Sequence, residues 1–151
     1  MKLSKLFKIL CFTAAFAISS PSALLIQQNK ALAGTGTSTL NTGEFLSPGD
    51  YLISPNQQYI AELQSDGDFI LYDSSNNTIL WESGTFDSEV NNIVMQYDCN
   101  LVIYDSNAIP TWATFTTPGS NCSLQVQDDG NLVIYRDDNV PVWAKGTRLR
   151  D

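Results

Sequence analysis

The sequence predicts an all-β domain, with about twelve short strands arranged in three sheets around one axis. Three observations carry this reading. The pattern Gln-x-Asp-x-(Asp/Asn)-x-(Ile/Val)-x-Tyr occurs three times at offsets of 32 and 31 residues, the spacing of an internally repeated fold. Each copy runs on to a tryptophan, and all three tryptophans of the chain (Trp81, Trp112 and Trp143) occupy that one place. No segment after residue 34 keeps a helical period over about ten residues.

In chain order, MKLSKLFKIL places lysines at 2, 5 and 8 ahead of the apolar stretch CFTAAFAIS. Small residues follow, with A-x-A cleavage points ending at Ala17 or Ala33. That is the layout of a secretory signal peptide over residues 1–33, leaving a mature domain of 34–151 and a secreted, extracellular location. The apolar run falls short of the roughly 20 residues of a spanning helix, so no membrane insertion is expected. Cys11 leaves with the leader.

TLNTGEFLSPGDYLISPNQQYIAEL then gives short strands punctuated by N-T-G and S-P-G-D. Each motif copy follows as a hairpin: NIVMQ and LVIYD are rich in β-branched and aromatic residues, and D-G or D-C marks a tight turn. SSNNT, SNAIP and DDNVP are further turns, leading into ILWESGT, PTWATFT and PVWAKGT. One inward Trp per unit packs the axis, since a unit this short cannot bury its own apolar face.

The hairpin explains the polar residues. Along one flat strand, Gln96 and Tyr104 would stand about 27 Å apart. Turning at Asp98-Cys99-Asn100 brings Gln96 beside the strand that carries Val102 and Tyr104, and the period of two keeps these on one face while Leu101 and Ile103 face the core. Five residues then line a shallow depression. Asp98 accepts, Gln96 and Asn100 donate and accept, the Tyr104 hydroxyl does either, and Val102 offers an apolar patch to a sugar ring. Taken singly these are ordinary turn and strand residues, but neither turn nor core calls for Gln at 64, 96 and 127. The second set is Gln96, Asp98, Asn100, Val102 and Tyr104; the third is Gln127, Asp129, Asn131, Val133 and Tyr135.

Composition excludes other chemistry. From Gly34 onward four basic residues face sixteen acidic ones, a net charge of −12 that repels nucleic acid. The chain has no histidine, hence no ordinary general base and no usual zinc ligand. No catalytic residue, metal or cofactor is implied. A glycosidase needs two carboxylates about 5 Å or 6.5–9.5 Å apart across a glycosidic bond; Asp66 with Asp68 is the only such pair in the motifs and reads more simply as a degenerate binding site. Cys99 and Cys122 remain after processing and can form one disulfide. Asn76 in N-N-T and Asn121 in N-C-S are formal glycosylation acceptors.

With three spaced motifs and three aligned tryptophans, residues 35–148 resemble the monocot, or bulb-type, mannose-binding lectin family, whose motif is Q-x-D-x-N-x-V-x-Y. The resemblance implies a β-prism II domain of three four-stranded antiparallel sheets with internal pseudo-threefold symmetry. It also implies mannose or mannose-rich glycans as partners. On that resemblance Asp98 and Asn100 (and Asp129 and Asn131) take the 2-hydroxyl of mannose, Gln96 and Gln127 the 3-hydroxyl, Tyr104 and Tyr135 the 4-hydroxyl, and Val102 and Val133 pack on ring carbons. Cys99 and Cys122 look like the family's disulfide. A homodimer formed by exchange of a C-terminal strand is open, with AKGTRLRD as the tail after Trp143.

The first copy departs. Gln64, Asp66 and Tyr72 fit, but Asp68 replaces Asn and Ile70 replaces Val. Asp68 loses a donor beside Asp66, and Ile70 crowds the ring, so this is the weaker site. The alternative is a lectin-fold protein with drifted sites, acting as a toxin, antimicrobial or storage protein through protein contacts.

Overall fold

The computed structural model describes residues 36–116 and 119–146. The expected leader and the C-terminal tail lie outside the described residues. Twelve strands form, and no helix occurs among the described residues. The N-terminal segment supplies β1 (Thr39–Asn41), β2 (Phe45–Leu46) and β3 (Tyr51–Ile53). The first repeat supplies β4 (Tyr59–Leu63), β5 (Phe69–Asp73) and β6 (Thr78–Glu82). The second supplies β7 (Val90–Met95), β8 (Leu101–Asp105) and β9 (Pro110–Ala113), and the third β10 (Ser123–Val126), β11 (Asn131–Tyr135) and β12 (Pro141–Gly146).

Each repeat is an antiparallel meander that borrows its fourth strand from the N-terminal segment. The sheets run β3-β4-β5-β6, β2-β7-β8-β9 and β1-β10-β11-β12. The chain therefore touches all three sheets before the first repeat begins. Its earliest strand, β1, closes the sheet that also holds β12, the last strand.

One inward row crosses each sheet. The rows are Leu52–Ala61–Leu71–Trp81, Leu46–Ile93–Ile103–Trp112 and Leu40–Leu124–Ile134–Trp143. The aliphatic members are fully buried, and removing any one of the three edge leucines to alanine would cost about 2–5 kcal/mol. At the end of the rows the tryptophans meet one another, with ring centroids 5.6, 5.5 and 6.1 Å apart. Tilted and edge-on contacts of this kind add to burial because ring edges carry positive charge and faces negative. These three rings make the pseudo-threefold axis.

The motif turns are alike in all three copies. Gln96 N donates to Asn100 O at 2.9 Å and Cys99 N donates to Gln96 O at 3.1 Å. Corresponding bonds hold Gln64–Asp68 and Gln127–Asn131. This is a three-residue hairpin loop whose last position must be left-handed. Gly67 and Gly130 fill it with φ of 91° and 79°, and Cys99 fills it at 72°. A cysteine accepts that backbone because its sulfur is used: it bonds Cys122, with Cα atoms 5.2 Å apart. The pairing joins the second repeat to the third. Gly119 lies against this bond so closely that a Cβ there would run into Cys99 Sγ.

A second irregularity recurs. The pairing of the motif strand with the Trp strand shifts by one residue beside Tyr72, Tyr104 and Tyr135. A bulge re-aims the neighbouring side chain, and here it sits at the same tyrosine each time.

Candidate functional site

Each outer face carries one motif, so three separate sites arise. In each, the Asp anchors its own turn: Asp98 Oδ1 accepts from Asn100 N at 3.0 Å, Asp66 Oδ1 from Asp68 N at 3.3 Å, and Asp129 Oδ1 from Asn131 N at 3.2 Å. The second carboxylate oxygen of Asp98 is left to accept from a ligand.

The residue two further on ties the motif to the chain leaving the Trp strand. Asn100 Oδ1 accepts from Phe115 N at 2.8 Å and from Thr114 Oγ1 at 3.1 Å. The oxygen thus holds the exit from β9 rather than its own turn, and the Nδ2 hydrogens are what this side chain can offer outward. Asp68 reproduces the structural half of that arrangement. Its Oδ1 accepts from Ser83 Oγ at 2.9 Å, Gly84 N at 2.9 Å and Thr85 N at 3.2 Å. With 4 % of its surface exposed, Asp68 serves the fold as well as Asn would. It differs only in what the other oxygen can do, which is accept.

Gln and Tyr meet in two sites out of three. Gln96 Nε2 donates to Tyr104 Oη at 2.6 Å, and Gln127 Nε2 to Tyr135 Oη at 2.8 Å. Gln96 stands opposite Asn100, so its amide reaches past Val102 to Tyr104. The phenol accepts inside the protein and keeps its own proton for a ligand oxygen. Val102 and Val133, expected as open apolar patches, are in fact the floor, 3 % and 5 % exposed.

The first site is wired the other way. Tyr72 donates to Glu62 Oε2 at 3.4 Å, which uses up the proton that Tyr104 and Tyr135 retain. Glu62 lies opposite Ile70 in the sheet, and Glu82 flanks Ile70 on the other side. The matching neighbours are Val94 and Ala113 around Val102, and Gln125 and Ala144 around Val133. Burial holds the Glu62 carboxyl above the usual carboxylate range, the Tyr72 bond opposes this, and nearby Asp66 adds to it. Burial and the Glu62 charge push the Tyr72 phenol well above its ordinary value. The motif alone does not contain Glu62. Its position, two before each motif Gln, becomes legible only when the copies are aligned and the contrast of Glu62 with Val94 and Gln125 is read.

The described residues hold no group of three or more His, Cys, Asp or Glu placed to bind a metal ion, and among them no helix is long and apolar enough to cross a membrane.

No family model matches the chain. A curated relative, the B-type lectin plumieribetin of Scorpaena plumieri, is 35 % identical over 85 residues, which is 56 % of this chain and 72 % of that protein. Among solved structures, a monomeric monocot mannose-binding lectin from Gastrodia elata is 38 % identical with a TM-score of 0.67, covering 75 % of this chain and 100 % of its own. The mannose-specific agglutinin of snowdrop (Galanthus nivalis), solved with methyl-α-D-mannoside, is 33 % identical with a TM-score of 0.59, covering 74 % and 98 %.

Proposed function

Because this chain belongs to the monocot mannose-binding lectin family, we propose that it binds mannose-bearing glycans through its second and third sites, with the first impaired. The chain is a carbohydrate-binding lectin of β-prism II fold and not an enzyme. The observation that carries the finer reading is the Gln–Tyr bond, present at 2.6 and 2.8 Å in sites two and three and replaced by Tyr72–Glu62 in site one.

In this reading each working site presents acceptors (Asp98 or Asp129), donors (Asn100 or Asn131, and the tyrosine proton) and a Val floor. Hydroxyl-to-protein bonds mostly replace hydroxyl-to-water bonds, so a single site gains little net free energy. A monosaccharide binds at roughly millimolar strength, about −4 kcal/mol. Two sites engaging one branched glycan multiply that by roughly 10²-fold or more where spacing allows. We read the protein as secreted, on the support of its N-terminal lysine–apolar–small layout and of the Cys99–Cys122 bond, which persists in oxidising compartments.

Retention on immobilised mannan at neutral pH, with elution by free mannose, tests the proposal. Passage through the column unretained would contradict it.

A further inference from the structure

We infer that Phe115 makes the second site a two-sugar site, its ring forming a platform for the pyranose linked to the mannose held by Asn100. The inference rests on the reading of the second site as a mannose site. Three residues beyond each Trp, the chain is left-handed: Gly84 at φ 76°, Phe115 at 55° and Gly146 at 136°. Glycine takes this backbone freely, whereas an L side chain pays a steric cost. The backbone task at this position needs no side chain, since Gly84 N donates to Asp68 Oδ1 just as Phe115 N donates to Asn100 Oδ1.

The other non-glycine residue at a position where its sister repeats use glycine is Cys99, and its disulfide accounts for it. Phe115 has no such account within the fold. The residue is 83 % exposed, although large apolar side chains lose free energy when left in water. The ring also stands at a particular place. Its own amide nitrogen is 2.8 Å from Asn100 Oδ1, so Phe115 is joined at its backbone to the side-chain amide whose Nδ2 is left to meet a sugar hydroxyl. Position 84 opens onto empty space, and a side chain at 146 would collide with Gly130 O and Asn131. Of the three repeats, only the second therefore has an aromatic side chain at this position.

An aromatic face is electronegative and the C–H face of a pyranose is electropositive, so the two stack. Such a ring beside a shallow polar site supplies the apolar lining that small-ligand sites favour. A terminal mannose fills the Asn100 site, and the next sugar of the chain then lies on Phe115.

The test titrates labelled protein with methyl-α-mannoside and with an α-linked mannobiose, reading the side-chain amide signals of Asn100 and Asn131 separately. The disaccharide-to-monosaccharide affinity ratio is expected to be roughly 3- to 10-fold higher at the second site than at the third. Phe115→Gly should bring that ratio down to the third-site value, and Phe115→Trp should keep it high. The thermal midpoint of Phe115→Gly should not fall, because glycine already serves this backbone at 84 and 146. Equal ratios at the two sites, or a ratio unchanged in Phe115→Gly, overturns the inference. Absence of binding by either sugar at the second site overturns the mannose reading, and this inference with it.

Discussion

Tyr72 gives its hydroxyl proton to Glu62, 3.4 Å away, whereas the tyrosines of the other two repeats accept from a glutamine and keep theirs. One residue outside the repeated motif therefore decides what a motif residue can offer a ligand. Restoring Asn and Val by Asp68→Asn with Ile70→Val is then insufficient to create a working first site. Adding Glu62→Gln copies Gln125 of the third site and releases Tyr72 toward Gln64. Sugar-dependent shifts at Gln64 should appear in the triple variant and stay absent or weaker in the double one. Equal response of the two variants would show that Glu62 does not block the site.

Glu62 also makes stability depend on pH. Its native pKa is raised above the ordinary 4.5, so the folded protein holds this proton more tightly than the unfolded chain. The stability it supports is complete below the unfolded value and is lost as pH rises through the native one. Glu62→Gln removes that loss. Melting curves should show the variant above the parent at neutral pH, with the gap closing as pH falls through the raised native value toward the ordinary 4.5 and no further change below it. A gap that is constant from pH 3 to 7 would contradict the burial argument.

The Cys99–Cys122 bond spans 23 residues and should contribute about 3 kcal/mol, mainly by restricting the unfolded chain. Alkylation without reductant should find neither of these thiols free, and Cys122→Ser should lower the midpoint of urea unfolding accordingly. Gly119→Ala should destabilise as well, because its new methyl meets Cys99 Sγ. A variant as stable as the parent would mean that the 119–122 segment can shift at no cost.

Much of this was legible from residues alone. Three copies of one motif, each followed by a Trp eight or nine residues after its Tyr, specified three sheets and their common axis, since nothing but a shared core could hold such similar short units. The D-G and D-C turns located the hairpins because their third residue must be left-handed. The edge strands were less legible. Leu40, Leu46 and Leu52 look interchangeable in the sequence, and the pairing of β1 with β10 is set by closure of the whole ring. The burial of Val102 was hidden for a similar reason: alternation assigns it to the outer face, while its cover comes from the strands paired on either side of it, as for Ile70 in the first repeat. Glu62 and Phe115 lie outside the motif, and each matters through a contact made by a neighbouring strand.

In the proposed function the motif residues of the second and third repeats hold mannose. The most direct measurement is a titration with methyl-α-mannoside, followed by the side-chain amide signals of Gln96, Asn100, Gln127 and Asn131, in the parent and in Asn100→Asp. Aspartate keeps the oxygen that holds Phe115 N and Thr114 Oγ1, as Asp68 does for Ser83, Gly84 and Thr85, so the fold should survive. It removes a donor and adds a charge beside Asp98, which should cost about 1–3 kcal/mol of binding at that site. Saturable shifts are expected at both sites in the parent and, in Asn100→Asp, their loss at the second site with the third unchanged. Undiminished binding at the second site of the variant, or no saturable shift at either site of the parent, would contradict it.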